Sequence, residues 1–334
     1  MSAGRPSSHG QSVDPASDYR KLSVLIPCFN EEVTIADVVR QFQDELPGAL
    51  VCVFDNNSTD ASAERAGSAG ARVIHELRRG KGFVVQSIFR HIDADVYVMV
   101  DGDATYPAAA VHSLIAPVTA GDADMVVGSR LHAHSQSEFK HLNRWANRLV
   151  LFILKLVFGV RLTDALSGYR AFSRAFVKNL ALFGGGFEIE TELTIKAAAR
   201  GYRIVEVPVD LAVRPAGSHS KIHFLRDGML ILTTILTLFR DYKPLTFFGS
   251  LGLLFLAAAM VPGLTVVAEY LQSGFVKLPV AVLASGLAFC GLILVAIGLV
   301  LHSIARRAQE FDYQLQMLGD QLRRERTSHD EAAP

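Results

Sequence analysis

The sequence predicts an open, doubly wound α/β domain followed by a membrane-inserted appendage. Between residues 22 and 101, short apolar runs typical of buried strands alternate with stretches of helical periodicity. That alternation implies strands paired mostly in parallel, with helices on both faces of the sheet. Near the C-terminus, residues 245–267 and 278–301 contain no charged residue, and each stretch is about as long as a helix that crosses a bilayer.

The elements of the predicted sheet follow one another in a regular order. Strands are predicted at 22–27 (LSVLIP), 51–55 (VCVFD), 71–76 (ARVIHE) and 95–101 (DVYVMVD). Helices are predicted at 31–46, 61–70 and 82–92. Polar residues cluster after all four strands, at 30–32, 55–60, 80–82 and 101–103. Since open parallel sheets bind ligands beyond the carboxyl ends of their strands, we expect one nucleotide cleft along this edge.

Two aspartates separated by a single glycine follow the fourth strand, in VMVDGDATYP (98–107). Carboxylates this close repel one another unless a positive charge lies between them, and a divalent cation with oxygen ligands is the usual one. An ordinary turn explains this stretch alone equally well, because Asp and Gly are common turn residues. Asp101 and Asp103 are therefore candidate metal ligands.

Composition excludes several classes of function. The 334 residues carry 33 Lys and Arg against 33 Asp and Glu, so no global charge indicates a nucleic-acid partner. Cys28, Cys52 and Cys290 have neither zinc nor disulfide spacing, which favours a reducing compartment. No G-x-G-x-x-G follows the first strand and no P-loop motif occurs, which excludes the usual dinucleotide and P-loop sites.

The remaining segments divide the chain around the α/β domain, which we assign to residues 21–221. Residues 1–20 are expected to be a disordered tail and not a signal peptide. Residues 222–243 are predicted to form an amphipathic helix, lying on the membrane or packed on the domain. A two-helix transmembrane hairpin is predicted at 244–302 and a charged cytoplasmic tail at 303–334.

Basic residues flank the hairpin on its outer sides. Arg240 and Lys243 precede the first span, and Arg306 and Arg307 follow the second. The positive-inside rule therefore predicts a two-span membrane protein whose catalytic domain and both termini are cytoplasmic. The hairpin is also the expected contact of any homo-oligomer.

Eight motifs follow one another along the chain: VLIPCFNEEVTI, VFDNNSTDAS, RGKG, VMVDGDATYP, VVGSR, DALSGYRAF, FEIETEL and EVPV. In this order they resemble the family-2 inverting glycosyltransferases of GT-A fold. More narrowly, the chain resembles the polyprenyl-phosphate glycosyltransferases (dolichyl-phosphate mannose or glucose synthases), in their membrane-anchored branch, over about residues 20–240.

The resemblance implies a role for each polar cluster on the donor side. Asp101 and Asp103 would hold Mg²⁺ or Mn²⁺ against the diphosphate of a nucleotide sugar, which neutralises the leaving group. Donor-nucleotide binding is implied for Pro27, Asn30, Glu32, Asp55, Lys81, Asp101 and Arg214. Lys81, in a glycine-flanked loop at a helix start, would add positive charge near phosphate.

On the acceptor side, the resemblance implies basic residues that bind a polyprenyl phosphate. Arg130, Lys140 and Arg144 are the candidates, because guanidinium and ammonium groups match phosphate oxygens. Asp164 is the implied base or positioning group, with Arg170 as its brace, and Glu190 and Asp103 complete the catalytic set. Of the acids Glu188, Glu190 and Glu192, at least one is expected to be structural, because acids near a helix N-terminus are favourable anyway.

The expected activity is transfer of a single sugar from a nucleotide sugar to polyprenyl phosphate at the cytoplasmic membrane face, with inversion. UDP-glucose or UDP-N-acetylglucosamine is favoured as donor over GDP-mannose. A processive polysaccharide synthase is the alternative enzyme, but HLNRW (141–145) has His141 where the Gln of Gln-x-x-Arg-Trp is required, and only two spans follow. A non-catalytic sugar-nucleotide-binding or lipid-binding regulator is the third possibility.

Overall fold

The computed structural model describes residues 22–130, 141–212, 215 and 224–331. The chain divides into two compact units, with the boundary between Leu232 and Thr233. The predicted N-terminal tail, Lys140 and Arg214 lie outside the described residues.

A seven-stranded sheet forms the centre of the first unit. Its strands are β1 (Leu22–Cys28), β2 (Leu50–Asp55), β3 (Arg72–His75), β4 (Val96–Met99), β5 (Met125–Ser129), β6 (Arg170–Ser173) and β7 (Ile204–Pro208). The strand order is β3-β2-β1-β4-β6-β5-β7. All pairings are parallel except those of β6, which runs antiparallel to both β4 and β5.

Helices cover both faces of this sheet, as a parallel sheet requires. They are α1 (Ile35–Glu45), α2 (Ser62–Ser68), α3 (Lys81–His91), α4 (Val111–Thr119), α5 (His141–Phe158), α6 (Arg174–Asn179) and α7 (Ile189–Ala199). One apolar core includes residues of α1 and α4, and the other includes residues of α3, α6 and α7. Strand β1 is buried along its whole length because it contributes side chains to both cores.

The C-terminal helices include two long apolar ones. Helix α8 (Phe224–Tyr242) crosses the boundary between the units, and α9 (Pro244–Ser273) and α10 (Leu278–Glu331) follow it. Two helices, Pro244–Ser273 and Leu278–Leu315, are long and apolar enough to cross a membrane. Gly252 and Gly291 lie where α9 and α10 cross closely, because a Cβ on Gly252 would meet the Gly291 carbonyl at 2.7 Å. Small residues permit such close crossings in membrane helices.

Candidate active site

The polar residues predicted to line a cleft follow the carboxyl ends of parallel strands. Asp55 ends β2 and pairs in register with Cys28 at the end of β1 and with His75 at the end of β3. Val100 and Asp101 follow β4, and the Val100 N–H donates to the Leu25 carbonyl of β1. Because β1 to β4 are all parallel, these ends lie along one edge of the sheet.

Lys81 lies between two carboxylates at this edge. Its Nζ is 2.6 Å from Asp101 Oδ1 and 2.6 Å from Glu190 Oε1, and the Lys81 side chain is only 11% exposed. Burial alone would lower the pKa of Lys81, but the two carboxylates outweigh it and hold the pKa above its usual range. The ammonium group is therefore charged at neutral pH.

Glycines hold the start of α3 against the loop before α7, which positions Lys81. Gly80 has φ 136°, and a Cβ on Gly80 or Gly82 would overlap the Gly185 or Gly184 carbonyl, respectively. Asn56 fixes the loop before Gly80, because its side chain accepts from the Gly80 N–H (2.7 Å) and donates to the Arg78 carbonyl (2.7 Å). The RGKG motif thus needs its glycines for close backbone approach.

The segment Asp101–Gly102–Asp103, which carries the two predicted metal ligands, is a loop held by neighbouring side chains. Thr34 Oγ1 donates to the Gly102 carbonyl (2.7 Å), and Asp103 Oδ1 accepts from Thr105 Oγ1 (2.6 Å). A Cβ on Gly168 would overlap the Asp101 carboxylate, so only glycine leaves that group its space. No third His, Cys, Asp or Glu joins them into a metal cluster among the described residues. Mg²⁺ prefers six oxygen ligands, so Asp101 and Asp103 alone would not fill its coordination shell.

Arg130 and Asp164 form a buried, two-pronged ion pair. Arg130 Nε donates to Asp164 Oδ2 (2.6 Å), and Arg130 Nη2 donates to Oδ1 (2.9 Å). The backbone N–H groups of Arg130 and Leu166 donate to the same two oxygens at 3.2 Å and 3.1 Å. Asp164 is 0% exposed. Burial alone would raise its pKa, but Arg130 holds the pKa below its usual range.

Residues outside the predicted site hold the Asp164 loop in place. Glu206 of β7 accepts the backbone N–H groups of Thr163 (2.8 Å) and Asp164 (2.9 Å). Glu206 belongs to the EVPV motif, but the sequence predicted no role for it, because its partners lie over forty residues away in the chain. Arg170 does not contact Asp164, contrary to expectation; its guanidinium donates to the Ala165 (2.7 Å) and Ser167 (2.9 Å) carbonyls. Arg170 thus braces the loop backbone and not the carboxylate.

Tyr106 is buried beside Gly168, at which an added Cβ would overlap the Asp101 carboxylate. Its hydroxyl accepts from the Gly168 N–H (3.1 Å) and lies 3.3 Å from Ser167 Oγ. Burial raises its pKa, and the charges of Arg130, Asp101 and Asp164 all act on it. The Lys81 and Arg130 clusters therefore belong to one site.

Asn30 and Glu32, two of the residues predicted to bind the donor nucleotide, follow β1 and hold the loop after β2. Asn30 accepts from the Thr59 N–H (2.8 Å), and Glu32 Oε2 accepts from the Ala61 N–H (3.2 Å). Asp55 Oδ2 lies 3.1 Å from His75 Nδ1 at the end of the next strand. Pro27 lies within β1 beside Phe54. Asn30 has φ 49°, a left-handed conformation that asparagine tolerates better than most residues.

Of the three acids at the start of α7, only Glu190 joins the site. Glu192 pairs with Lys196 (2.6 Å) and accepts from the Gly184 N–H (2.7 Å), and Glu188 accepts from the Gly186 N–H (2.9 Å). Both therefore support the glycine loop that packs on Gly82. Lys140 and Arg214 lie outside the described residues, as does the side chain of Arg144 in α5.

A mostly parallel seven-stranded sheet with carboxylates along one edge defines a GT-A-like α/β fold, and comparison with known proteins agrees. Residues 23–181 match the family described as Glycosyl transferase family 2. The chain is also 37% identical to glycosyltransferase AglJ of Haloferax volcanii over 248 residues, which cover 74% of this chain and 80% of that protein. The chain belongs to glycosyl transferase family 2.

Two further relatives are more distant. The chain is 29% identical to dolichyl-phosphate hexose transferase of Haloferax volcanii over 191 residues, covering 57% of this chain and 82% of that protein. It is 26% identical to glucosyl-3-phosphoglycerate synthase of Mycobacterium tuberculosis in a crystal structure with Mn²⁺ and uridine-diphosphate-glucose. That match has a TM-score of 0.55 and covers 67% of this chain and 79% of the other.

Proposed function

We propose that this glycosyltransferase moves one sugar from a nucleotide sugar to a polyprenyl phosphate at the cytoplasmic face of a membrane, with inversion. The proposal rests on one observation, that two different ion clusters lie close to each other. One, Asp101 with Lys81 and Glu190, suits a metal-bound diphosphate; the other, Arg130 on Asp164, suits a phosphate monoester. A transferase that joins a sugar diphosphate to a phosphate acceptor needs both.

The donor half of the reaction uses the acidic edge. Asp101 and Asp103 would hold Mg²⁺ or Mn²⁺, which when bound neutralises the charge that develops on the leaving diphosphate. Lys81 would add a second positive charge beside that diphosphate, held in place by Glu190. The solved complex of a relative with Mn²⁺ and UDP-glucose supports a metal and a UDP-sugar donor. Glucose or N-acetylglucosamine remains favoured over mannose.

The acceptor half uses Arg130, and Asp164 acts by positioning it. An ionised carboxylate has about four lone-pair positions, and four N–H groups donate to Asp164: two of the Arg130 guanidinium and the backbone groups of Arg130 and Leu166. Asp164 thus has no position left at which to take a proton. A phosphate monoester has a second pKa of about 6 and is largely ionised at neutral pH, so no strong base is needed.

Bond making and breaking then balance without a further reactant. An oxygen of the acceptor phosphate attacks the sugar C1 as the bond from C1 to the diphosphate oxygen breaks. The nucleoside diphosphate leaves with the electron pair, and the product is a sugar joined to lipid through one phosphate. The name of the Haloferax dolichyl-phosphate hexose transferase supports this acceptor class.

The test is transfer of label in membranes. Membranes containing the protein, supplied with polyprenyl phosphate and each radiolabelled nucleotide sugar in turn, should yield one charged lipid product that contains a single sugar. EDTA and Asp103→Ala should each abolish it, and Asp122→Ala, an exposed acid after α4, is the matched control. Long sugar chains would favour the processive alternative, and nucleotide-sugar binding without any transfer would favour a regulator.

A further inference from the structure

Helix α10 extends well beyond the start of α9, its partner in the hairpin. Gly298 lies beside that start, because a Cβ on Gly298 would meet Phe248 Cβ at 3.1 Å. As a helix, the uncharged stretch 278–301 is about 36 Å long, which already exceeds the ~30 Å of hydrocarbon in a bilayer. The part of α10 that follows Arg306 and Arg307 therefore extends past both α9 and the lipid core.

This extension carries a stripe of apolar side chains, spaced alternately four and three residues apart, which begins within the span. Its members, which we call the α10 seam, are Ile297, Leu301, Ile304, Ala308, Phe311, Leu315 and Leu318. Beyond the span, Phe311, Leu315 and Leu318 are 61%, 51% and 53% exposed. Apolar residues that repeat in this way over three heptads are the pattern of a coiled coil. The seam is thus an apolar helix surface that needs a helical partner.

The α10 seam is narrower than the apolar face of a helix that packs on a protein core. Such a helix usually adds apolar residues at heptad positions e or g, whereas Arg307 and Gln314 occupy position g here. Helix α10 is also unbroken from Leu278 to Glu331. A helix that crosses the bilayer therefore carries the seam away from the membrane surface, which excludes headgroups as its main partner.

We propose that the α10 seam binds the same seam of a second copy of this chain as a parallel coiled coil. Copies inserted with one topology present α10 in the same direction, so equal positions of the two seams meet around a two-fold axis. The sequence predicted the transmembrane hairpin as the contact of any homo-oligomer. The seam is a separate contact, and most of it lies beyond the hairpin.

Charge favours the parallel arrangement. In a parallel pair, position g of one helix faces position e of the next heptad in its partner. Arg307 is at position g, and the residue five positions later in the sequence, at position e, is Asp312. A two-fold pair brings these opposite charges to the same level twice, once on each side of the seam. A second copy thus supplies both the apolar surface and the charge that the seam requires.

The experiment measures disulfide formation between copies of the full-length protein in membranes. Cys28 and Cys52 are buried, so Cys290→Ser leaves no exposed native cysteine among the described residues. In that background, Leu315→Cys lies in the seam, and Tyr313→Cys is the matched control. Tyr313 is 63% exposed but lies about 160° around the helix from Leu315. Two versions of each variant, with different affinity tags, are expressed together and oxidised mildly.

We expect a disulfide-linked dimer that contains both tags, with a yield several-fold larger at residue 315 than at residue 313. Phe311→Asp with Leu318→Asp should lower the yield at residue 315 several-fold, whereas Tyr313→Asp should not. These side chains are exposed in the single chain, so the substitutions leave its packing intact.

The charge pairing has its own matched variants. Arg307→Glu should lower the yield at residue 315, whereas Arg306→Glu, at position f and with the same effect on net charge, should not. Equal yields at residues 315 and 313 would overturn the proposal, because they would indicate random collision or contact through the hairpin alone. A disulfide from residue 315 only to a different protein would also overturn it. Because no sugar or acceptor is added, failure of the proposed transfer reaction would leave these results unchanged.

Discussion

Lys81 and Asp101 share a 2.6 Å ion pair at the edge where the D-x-D pair would hold a cation. The Lys81 ammonium group is thus hydrogen-bonded to a carboxylate oxygen that a metal would use. The ammonium group and a metal ion about 5 Å apart would also repel each other by several kcal/mol at an effective dielectric of about 20. We expect Lys81→Met to bind Mn²⁺ at least about tenfold more tightly without nucleotide, while sugar transfer falls. Electron paramagnetic resonance of free Mn²⁺ measures the affinity. Lys81→Arg keeps the charge and is the control; unchanged or weaker Mn²⁺ binding by Lys81→Met would show that the amine does not compete.

Gly82 and Gly67 both lie in helices, but we expect substitution by alanine to change the free energy of unfolding in opposite directions at the two positions. A Cβ on Gly82 would overlap backbone atoms of Gly184, which cannot move as a side chain would. We expect Gly82→Ala to cost about 1–3 kcal/mol of unfolding free energy through overpacking. At Gly67 the nearest atom is Val73 Cγ2 at 3.7 Å, so Gly67→Ala should stabilise by about 0.4–1 kcal/mol. Thermal unfolding of the two variants gives the comparison, and equal shifts would contradict the packing argument.

Local pattern predicted the first four of the seven described strands, because each is a short apolar run that ends at polar residues, but it did not assign β5, β6 or β7. The sequence assigned strands at 22–27 and 51–55, and the structure has them at Leu22–Cys28 and Leu50–Asp55. Contacts between residues that are far apart in the chain could not be predicted from local pattern. Lys81 and Glu190 lie 2.6 Å apart although more than a hundred residues separate them, and no periodicity encodes such a pairing. The antiparallel course of β6 is likewise a property of the assembled sheet.

The two candidate spans allow a direct test of the proposed topology. Lys277, in the loop between α9 and α10, pairs at 2.7 Å with Glu269 near the end of α9, whereas Arg306 and Arg307 follow the uncharged stretch 278–301. Net positive charge therefore lies only on the outer flanks, which the positive-inside rule assigns to the cytoplasm. In a Cys290→Ser background, a cysteine at Ser273 should react with an impermeant reagent in intact cells. A cysteine at Gln309 should react only after permeabilisation, and labelling of both from one side would contradict two spans.

Arg130 is expected to bind the acceptor and not the donor. Arg130→Lys keeps the charge but loses the fork that spans both oxygens of Asp164, so the amine cannot be held as the guanidinium is. We expect affinity for polyprenyl phosphate to fall by roughly 1.5–3 kcal/mol, about the contribution of one hydrogen bond to a charged group. Nucleotide-sugar affinity should change little, because Asp101 and Lys81 hold that ligand. Titration of both ligands separates the two sites, and a collapse of nucleotide binding alone would assign Arg130 to the donor.

The pH dependence of the reaction distinguishes between two roles of Asp164, a catalytic base and a group that positions Arg130. The pKa of Asp164 is lower in the folded protein than in the unfolded chain, where it is about 4. Asp164 therefore stabilises the folded state above about pH 4, and this stabilisation is lost as the pH falls through the folded-state pKa. Across an assay from about pH 5.5 to pH 9, Asp164 is therefore ionised and its ion pair intact. Any acidic limb of kcat/KM in that range must come from another group, and the acceptor phosphate, with a second pKa of about 6, is the expected one.

Asp164→Asn should consequently lower kcat/KM at every pH without moving the midpoint of the acidic limb. Asparagine keeps the shape of the side chain, but its amide group donates where the carboxylate accepted from Arg130. The Arg130 guanidinium then lacks the negative charge of Asp164, which should lower the free energy of unfolding by about 3–5 kcal/mol. A melting curve for each variant separates this loss from the loss of rate. Arg130→Met combined with Asp164→Leu removes both charges and should be more stable than Asp164→Asn, because no unpaired charge remains buried. If Asp164→Asn abolished the acidic limb instead, Asp164 would be taking the proton, and the four hydrogen bonds to its oxygens would have to open during turnover.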